Sequence, residues 1–236
     1  MRQITKYLAI LVALAASGAG CNSATGPGYD PVIPTDLSNT LTNPFFVLTP
    51  GTTYQFSGQT PSGLETSSSE VLAQARVVNG VAALEVHDIV YLDGSLIEDT
   101  YDWYAQDGAG NVWYLGEDTK QISNGQVIGT EGSWEWGVGA ALPGIIMPGD
   151  PSAQINTIYR EEFLKGVAED KAKVIAVNQS VTVANGSYTG CTVTENYTDL
   201  EPFAPHENKT YCPPVGLVLT VVVGGSESIE LVGVTP

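Results

Sequence analysis

The sequence predicts an all-β protein, an antiparallel meander forming a barrel, a half-open barrel or a sandwich. Three observations carry that prediction. Short alternating or β-branched runs such as TTYQF, ALEVHDIVYL, VWYLGE, SVTV and GLVLTVVV recur from Leu41 onward, as half-buried strands require. Asn79-Gly80, Asp93-Gly94 and Asn124-Gly125 separate such runs, and these dipeptides accept the positive φ angles of two-residue hairpins. The composition is 43% hydrophobic and only 15% charged, with 26 Gly and 14 Pro among 236 residues, which fits a folded, turn-rich body and not a disordered acidic one.

At the N-terminus, MRQITKYLAILVALAASGAGC places Arg2 and Lys6 before an apolar run from Tyr7 to Ala16, followed by small residues. That is the order of a secretory signal, and the run is too short to span a bilayer. The small residues end at Cys21, and SGAGC resembles the lipobox of bacterial lipoproteins, departing from it at Gly18, where leucine is commoner. The resemblance implies a signal peptide over residues 1–20, lipidation of Cys21 and a membrane partner through the acyl chains. It also implies a place in the cell envelope, at the outer membrane or cell surface, with Asn22 standing where an aspartate occurs in some members. Residues 21–40 are polar and proline-rich and read as a flexible tether; residues 41–236 read as a single β-rich domain. Within that domain, TNPFFVLTPGTTYQF and GLVLTVVV resemble uncharacterised β-rich secreted bacterial lipoproteins, a resemblance that implies no activity.

With Cys21 assigned to lipid, Cys191 and Cys212 remain, and an even pair in an oxidising compartment is most simply a disulfide. The one helix candidate is REEFLKGVAEDKA, from Arg160 to Ala172, which Gly166 interrupts; an extended reading of it stays open. The formal net charge is -17, and loss of Arg2 and Lys6 makes the exported chain more negative still. Nucleic acid is excluded as a partner, because phosphate binding needs clustered Lys and Arg. A cation, a basic partner or plain solubility remain.

Chemistry is most legible between Glu98 and Asp118, a stretch of six carboxylates and five aromatic rings without a lysine or arginine. A two-residue turn at Asp93-Gly94 sets Leu92 opposite Ser95 and, counting back, Asp88 opposite Asp99. A four-residue loop from Asp107 to Gly110 then sets Trp103 opposite Tyr114 and Asp99 opposite Asp118, and the Asn124-Gly125 turn brings Glu131 beside Asp118. The predicted row Asp88, Asp99, Asp118 and Glu131 concentrates like charge on strands about 4.8 Å apart. Three resolutions stay open: a hard cation such as Ca²⁺, protonation or a counter-ion from Arg160, or a bulge or solvated rim that removes the row.

The same register gathers Tyr104, Trp113 and Trp136, with Asp102, Leu115 and Trp134 beside them, on the other face. Such rings form a stacking platform for a cell-surface glycan unless another segment, such as PGIIMP, covers them. The two histidines, His87 and His206, exclude a His-rich zinc site. An EF-hand reading of Asp107, Asn111 and Asp118 fails at Ala109 and Val112. No G-x-S-x-G, P-loop or dinucleotide motif is present, although paired carboxylates leave acid–base work on glycosides open. The leading expectation is therefore an envelope-anchored, non-enzymatic binding or structural module with a carboxylate-lined divalent-cation site. The alternative is a carbohydrate-binding or glycoside-cleaving surface protein using the tryptophan face.

Overall fold

The computed structural model describes residues 28–236; the expected signal peptide, the lipobox cysteine and the first residues of the expected tether lie outside the described residues. The described chain is almost entirely strand and turn. In chain order the strands are β1 (Thr53–Thr60), β2 (Gly63–Val71), β3 (Arg76–Val78), β4 (Val81–Leu92), β5 (Ser95–Gln106), β6 (Val112–Ser123), β7 (Gln126–Gly129) and β8 (Trp134–Glu135). They continue as β9 (Leu142–Met147), β10 (Ile158–Arg160), β11 (Glu162–Phe163), β12 (Asp170–Val183), β13 (Gly186–Thr198), β14 (Glu207–Cys212), β15 (Gly216–Val222) and β16 (Ser228–Thr235). All three expected turn dipeptides adopt positive φ at both residues, for example 49° at Asp93 and 78° at Gly94. The segment read as a helix candidate is extended instead. Glu161 lies between β10 and β11, Glu162 within β11, and a turn after Leu164 leads past Glu169 into β12; neighbouring strands satisfy the backbone of β10 and β11.

Strand order around the sheet is β10-β12-β13-β14-β15-β16-β1-β2-β4-β5-β6-β9-β11, with every pairing along this path antiparallel. The two ends of that order, β10 and β11, are separated in sequence by Glu161 alone. The chain therefore walks directly from one sheet edge to the other, and the sheet is a nearly closed barrel with its seam at Glu161. Gly144 on β9 makes the seam tight. A Cβ there would lie 2.4 Å from both the Arg160 carbonyl oxygen and the Glu161 carbonyl carbon.

Closure gives the alternation of each strand a single meaning, since every second side chain points into the lumen. One end of the lumen is plugged by the segment around Phe46, whose ring lies 5.1 Å from Tyr104 on β5 and 6.2 Å from Tyr211 on β14. Those two strands stand on opposite sides of the barrel, so Phe46 reaches across it. Asn43 and Gln106 hold the plug: the Gln106 Oε1 accepts from the backbone N–H groups of Thr42 and Asn43, and the Asn43 Nδ2 donates to the Gly110 and Pro148 carbonyls. The expected tether is docked over its described part. Ser38 and Gln106 exchange backbone hydrogen bonds, and Ile33 and Leu37 pack on an outer cluster of Val78, Ala83, Trp103, Ala105, Trp113 and Leu115. Cys191 and Cys212 form a buried disulfide beside the Thr192–Tyr211 pair; closing a loop of this length stabilises by about 3 kcal/mol on the chain-entropy model.

Gly116 shows how closely the wall is built. It faces Trp103 on β5 and Glu135 on β8, with φ at 141°. A Cβ there would lie 2.5 Å from the Trp134 carbonyl oxygen and 2.8 Å from the Glu135 Cα. Gly116→Ala is expected to lower stability by about 2 kcal/mol or more, read as an earlier midpoint in urea unfolding; an unchanged midpoint would mean that β8 is not docked there in solution.

Candidate functional site

The acidic hairpin folds with two bulges that the turn signals do not announce. One lies between Val90 and Tyr91 on the β4–β5 pair and the other between Trp103 and Tyr104 on the β5–β6 pair. The first leaves Ile97 unpaired, so Val90 faces Glu98 and Asp88 faces Thr100. The loop after β5 also holds one residue more than expected, and Gln106 pairs with Val112. Leu115 is the extra residue of the second bulge, and beyond it Asp99 faces Lys120. Each slip moves side chains to the other face.

The expected row of four carboxylates is therefore corrected. Asp88 points into the lumen, whereas Asp99 lies on the outer surface with its Oδ1 2.9 Å from the His87 Nε2. Asp118 is also outside, 3.5 Å from the Lys120 Nζ, and Glu131 is exposed in the loop after β7. Arg160, expected as a counter-ion, instead lies 3.1 Å from Asp199 and over the Phe163 ring. The expected glycan platform is corrected for the same reason. Tyr104 and Asp102 belong to the lumen, Trp134 is buried with its indole donating to Glu162 at 2.6 Å, and Trp113 is buried in the outer cluster; Trp136 is half-buried. Asp107 serves the turn, accepting from the Ala109 and Asn111 backbone N–H groups, the Asn111 amide and the Trp113 indole.

What the lumen does collect is a larger acidic set than sequence reasoning found. Alternation on β2, β4, β5 and β6 turns Glu65, Asp88, Glu98, Asp102 and Glu117 inward, and the seam adds Glu161 and Glu162. Asp170 on β12 and Glu207 on β14 face them from across the barrel, together with one cation, Lys209. The sequence signal for these was the period-two pattern itself: Glu207, Lys209 and Tyr211 alternate along β14, and Glu98, Thr100, Asp102 and Tyr104 along β5.

Hydrogen bonds satisfy part of this set. Ser69 donates to the Asp88 Oδ1, Tyr114 to the Asp102 Oδ1, and the Asn196 amide to the Glu161 Oε1 at 2.8 Å. A hydroxyl relay, Thr100 to Thr119 at 3.1 Å and Thr119 to the Glu117 Oε2 at 3.1 Å, crosses β5 and β6. Among the described residues, the Asp88 Oδ2, Asp102 Oδ2, Glu117 Oε1 and Glu65 Oε1 receive no hydrogen bond from any N–H or hydroxyl. Asp88 and Asp102 lie diagonally on β4 and β5 and bear on each other's ionisation.

Burial is the first reason these acids resist ionising. It pushes Glu65 up to about 8, with the charges of Glu98, Glu207 and Glu227 adding to it. Glu161 rises to about 7 by burial, opposed by Lys209. Burial drives Asp102, Glu117 and Glu162 well above the usual carboxylate range, and nearby charges add to it: Asp88 and Glu98 for Asp102, Asp102, Glu162 and Glu98 for Glu117, and Asp170 and Glu161 for Glu162. Burial alone would lower the Lys209 ammonium, yet Tyr211, Glu161, Glu207 and Asp170 reverse this and raise it.

Between these groups lies a cavity of about 90 Å³, room for roughly six to nine water-sized groups. Its polar wall includes Asp88, Glu98, Glu162, Asp170 and Lys209, and its apolar wall includes Phe46, Tyr54, Phe56, Tyr104, Tyr114 and Leu217. Among the described residues, no three His, Cys, Asp or Glu side chains converge in a metal-binding group.

No family model matches the chain, and no curated protein matches it in sequence. Among solved structures, a Bacteroides fragilis protein described as a presumptive exported protein with a YmcC-like fold superposes with a TM-score of 0.46 at 13% identity, covering 81% of this chain and 99% of that one.

The raised luminal acids fix how stability depends on pH. A carboxyl whose folded pKa exceeds its unfolded value favours the fold fully below the unfolded value, near 4.5, and loses that contribution as pH rises through the folded value. Stability is thus expected to fall between about pH 5 and pH 8, at up to about 1.4 kcal/mol per pH unit for each such acid. Thermal melts of Glu161→Gln and Glu65→Gln should show a flatter decline than the parent; parallel curves would mean that neither acid titrates inside the fold.

Proposed function

We propose that the protein is an exported, lipid-anchored and non-enzymatic binding module that takes a small ligand into its barrel lumen. Export and anchoring rest on the order of Arg2, Lys6, the apolar run and Cys21. The buried disulfide is the kind of bond that persists in an oxidising compartment. The observation that carries the binding reading is the luminal cavity: a closed wall, an aromatic plug and a few convergent polar groups around a space large enough for a small molecule. Cleavage of a polysaccharide is a poor fit to that space, because a cavity of about 90 Å³ is too small for a glycan chain. The indoles that would have stacked on a sugar are held inside the wall, with the Trp113 and Trp134 nitrogens bonded to Asp107 and Glu162.

Ser67 lines the cavity beside Phe56 and Val90, and Ser67→Phe would fill it. At least one of 1-pentanol, butyrate and butylammonium is expected to raise the melting temperature of the parent protein and to leave a cooperatively melting Ser67→Phe variant unchanged. Absence of any shift in the parent, or a shift that persists in the filled variant, would overturn the luminal reading.

A further inference from the structure

Among the described residues, nine inward carboxyls share one lysine, and they share it unevenly. Lys209 stands with Glu161, Asp170 and Glu207 on the β12–β14 side. The β4–β6 side carries Asp88, Glu98, Asp102 and Glu117 with no Lys or Arg in the inward register of β4, β5 or β6. Asp88 is 5% exposed, lines the cavity, and keeps one oxygen, Oδ2, that no N–H or hydroxyl of the described residues reaches. The apolar part of this wall is Val86 and Val90 on β4 with the Tyr104 and Tyr114 rings, which stack at 5.0 Å.

We propose that the lumen binds a small alkylammonium ligand, its cationic head seated on Asp88 with Asp102 behind it and its hydrocarbon body against Tyr54, Phe56, Tyr104 and Tyr114. This deepens the luminal binding reading and rests on it. Three physical features select the ligand class. An ammonium supplies the N–H donors or positive charge that the free carboxylate oxygens lack, where a carboxylate ligand would add one more like charge. Ring faces attract cations and apolar stems together, which a neutral alcohol exploits only in part. A hydrated metal ion would leave most of this wall facing water. Lys209 is the precedent within the chain, an alkylammonium already housed in the same lumen among carboxyls and beside Tyr211.

Binding exchanges one cation for another. Binding on this proposal displaces a proton shared by Asp88 and Asp102, both of which burial makes harder to ionise; the ammonium forms an ion pair with the carboxylate, and that proton leaves to solvent, so charge balances. The groups facing the pair are Glu98 and Tyr104 on β5, Glu117 and Tyr114 on β6, Ser69 on β2 and Glu162 on β11. His87 lies on β4 with its ring turned outward onto Tyr101. Across the lumen stand Asp170, Lys209 and Tyr211, with Tyr54 and Glu65 on β1 and β2. All the inward acids among them ionise as pH rises, which acts in the same direction as loss of the shared proton. Affinity for an ammonium therefore increases with pH, by up to tenfold per unit while the amine stays charged, as lysine does below about pH 10.

The test is calorimetric titration of the full protein with butylammonium, 1-pentanol and butyrate at pH 6 and pH 8, in two buffers of different ionisation enthalpy. Butylammonium is expected to bind at least tenfold more tightly than 1-pentanol at pH 8, to weaken at pH 6 and to release protons. Asp88→Asn is expected to remove that preference, and Glu85→Gln, an acid whose carboxyl accepts from Trp103 in the outer cluster, to retain it. Should Asp88→Asn not fold, the proton release and pH dependence of the parent decide alone. Equal affinities for butylammonium and 1-pentanol, both abolished by Ser67→Phe, would overturn the ammonium assignment while leaving the lumen as the binding site. Butylammonium binding that survives Ser67→Phe would overturn both.

Discussion

Closing the sheet is the constraint on which everything else in this molecule depends. Once β10 and β11 meet at Glu161, the inward side chains of the strands around the path share one space from which bulk water is largely removed. An open acidic sheet would solvate its charges, whereas a closed one must satisfy them from within. Asp88, Asp102 and Glu117 show three partial answers, a serine hydroxyl, a tyrosine hydroxyl and a threonine relay, and each leaves one oxygen without a donor. The raised carboxyl pKa values and the burial of Lys209 are consequences of that geometry.

The fold class and several of its joints could be read from the residues alone. Asn79-Gly80, Asp93-Gly94 and Asn124-Gly125 announced their hairpins because positive φ at both central positions is a local steric requirement that few other pairs meet. The Cys191–Cys212 pair followed from chemistry and number. The site was only half legible. Asp88 was correctly read as part of a strand, ALEVHDIVYL, but its partner across the hairpin was not, since the bulge at Ile97 has no turn signature. A single inserted residue was enough to send Asp99 outside and Glu98 inside.

Segments with weak local preference were the least legible. The run around Glu161 and Glu162 has helical composition, yet its place is set by the β9 and β12 backbones that flank it. Likewise, nothing local distinguishes Phe46 as a plug; its role exists only because Tyr104 and Tyr211 come from strands far apart in sequence and opposite in the barrel. The described part of the polar, proline-rich stretch before Leu41 was expected to be a tether, and it is held by a strand-like exchange with Gln106 and by Ile33 and Leu37 on the outer cluster.

The seam at Glu161 also bears on how the molecule meets its own copies. A β-sheet ordinarily ends in two rows of unpaired backbone groups that invite strand addition by a neighbour, the first step toward fibrils. Here the terminal strands β10 and β11 are three and two residues long and are joined end to end through Glu161. An incoming strand would find only a handful of amides to join, so a chain this rich in β-structure is guarded against edge-to-edge growth by its own topology.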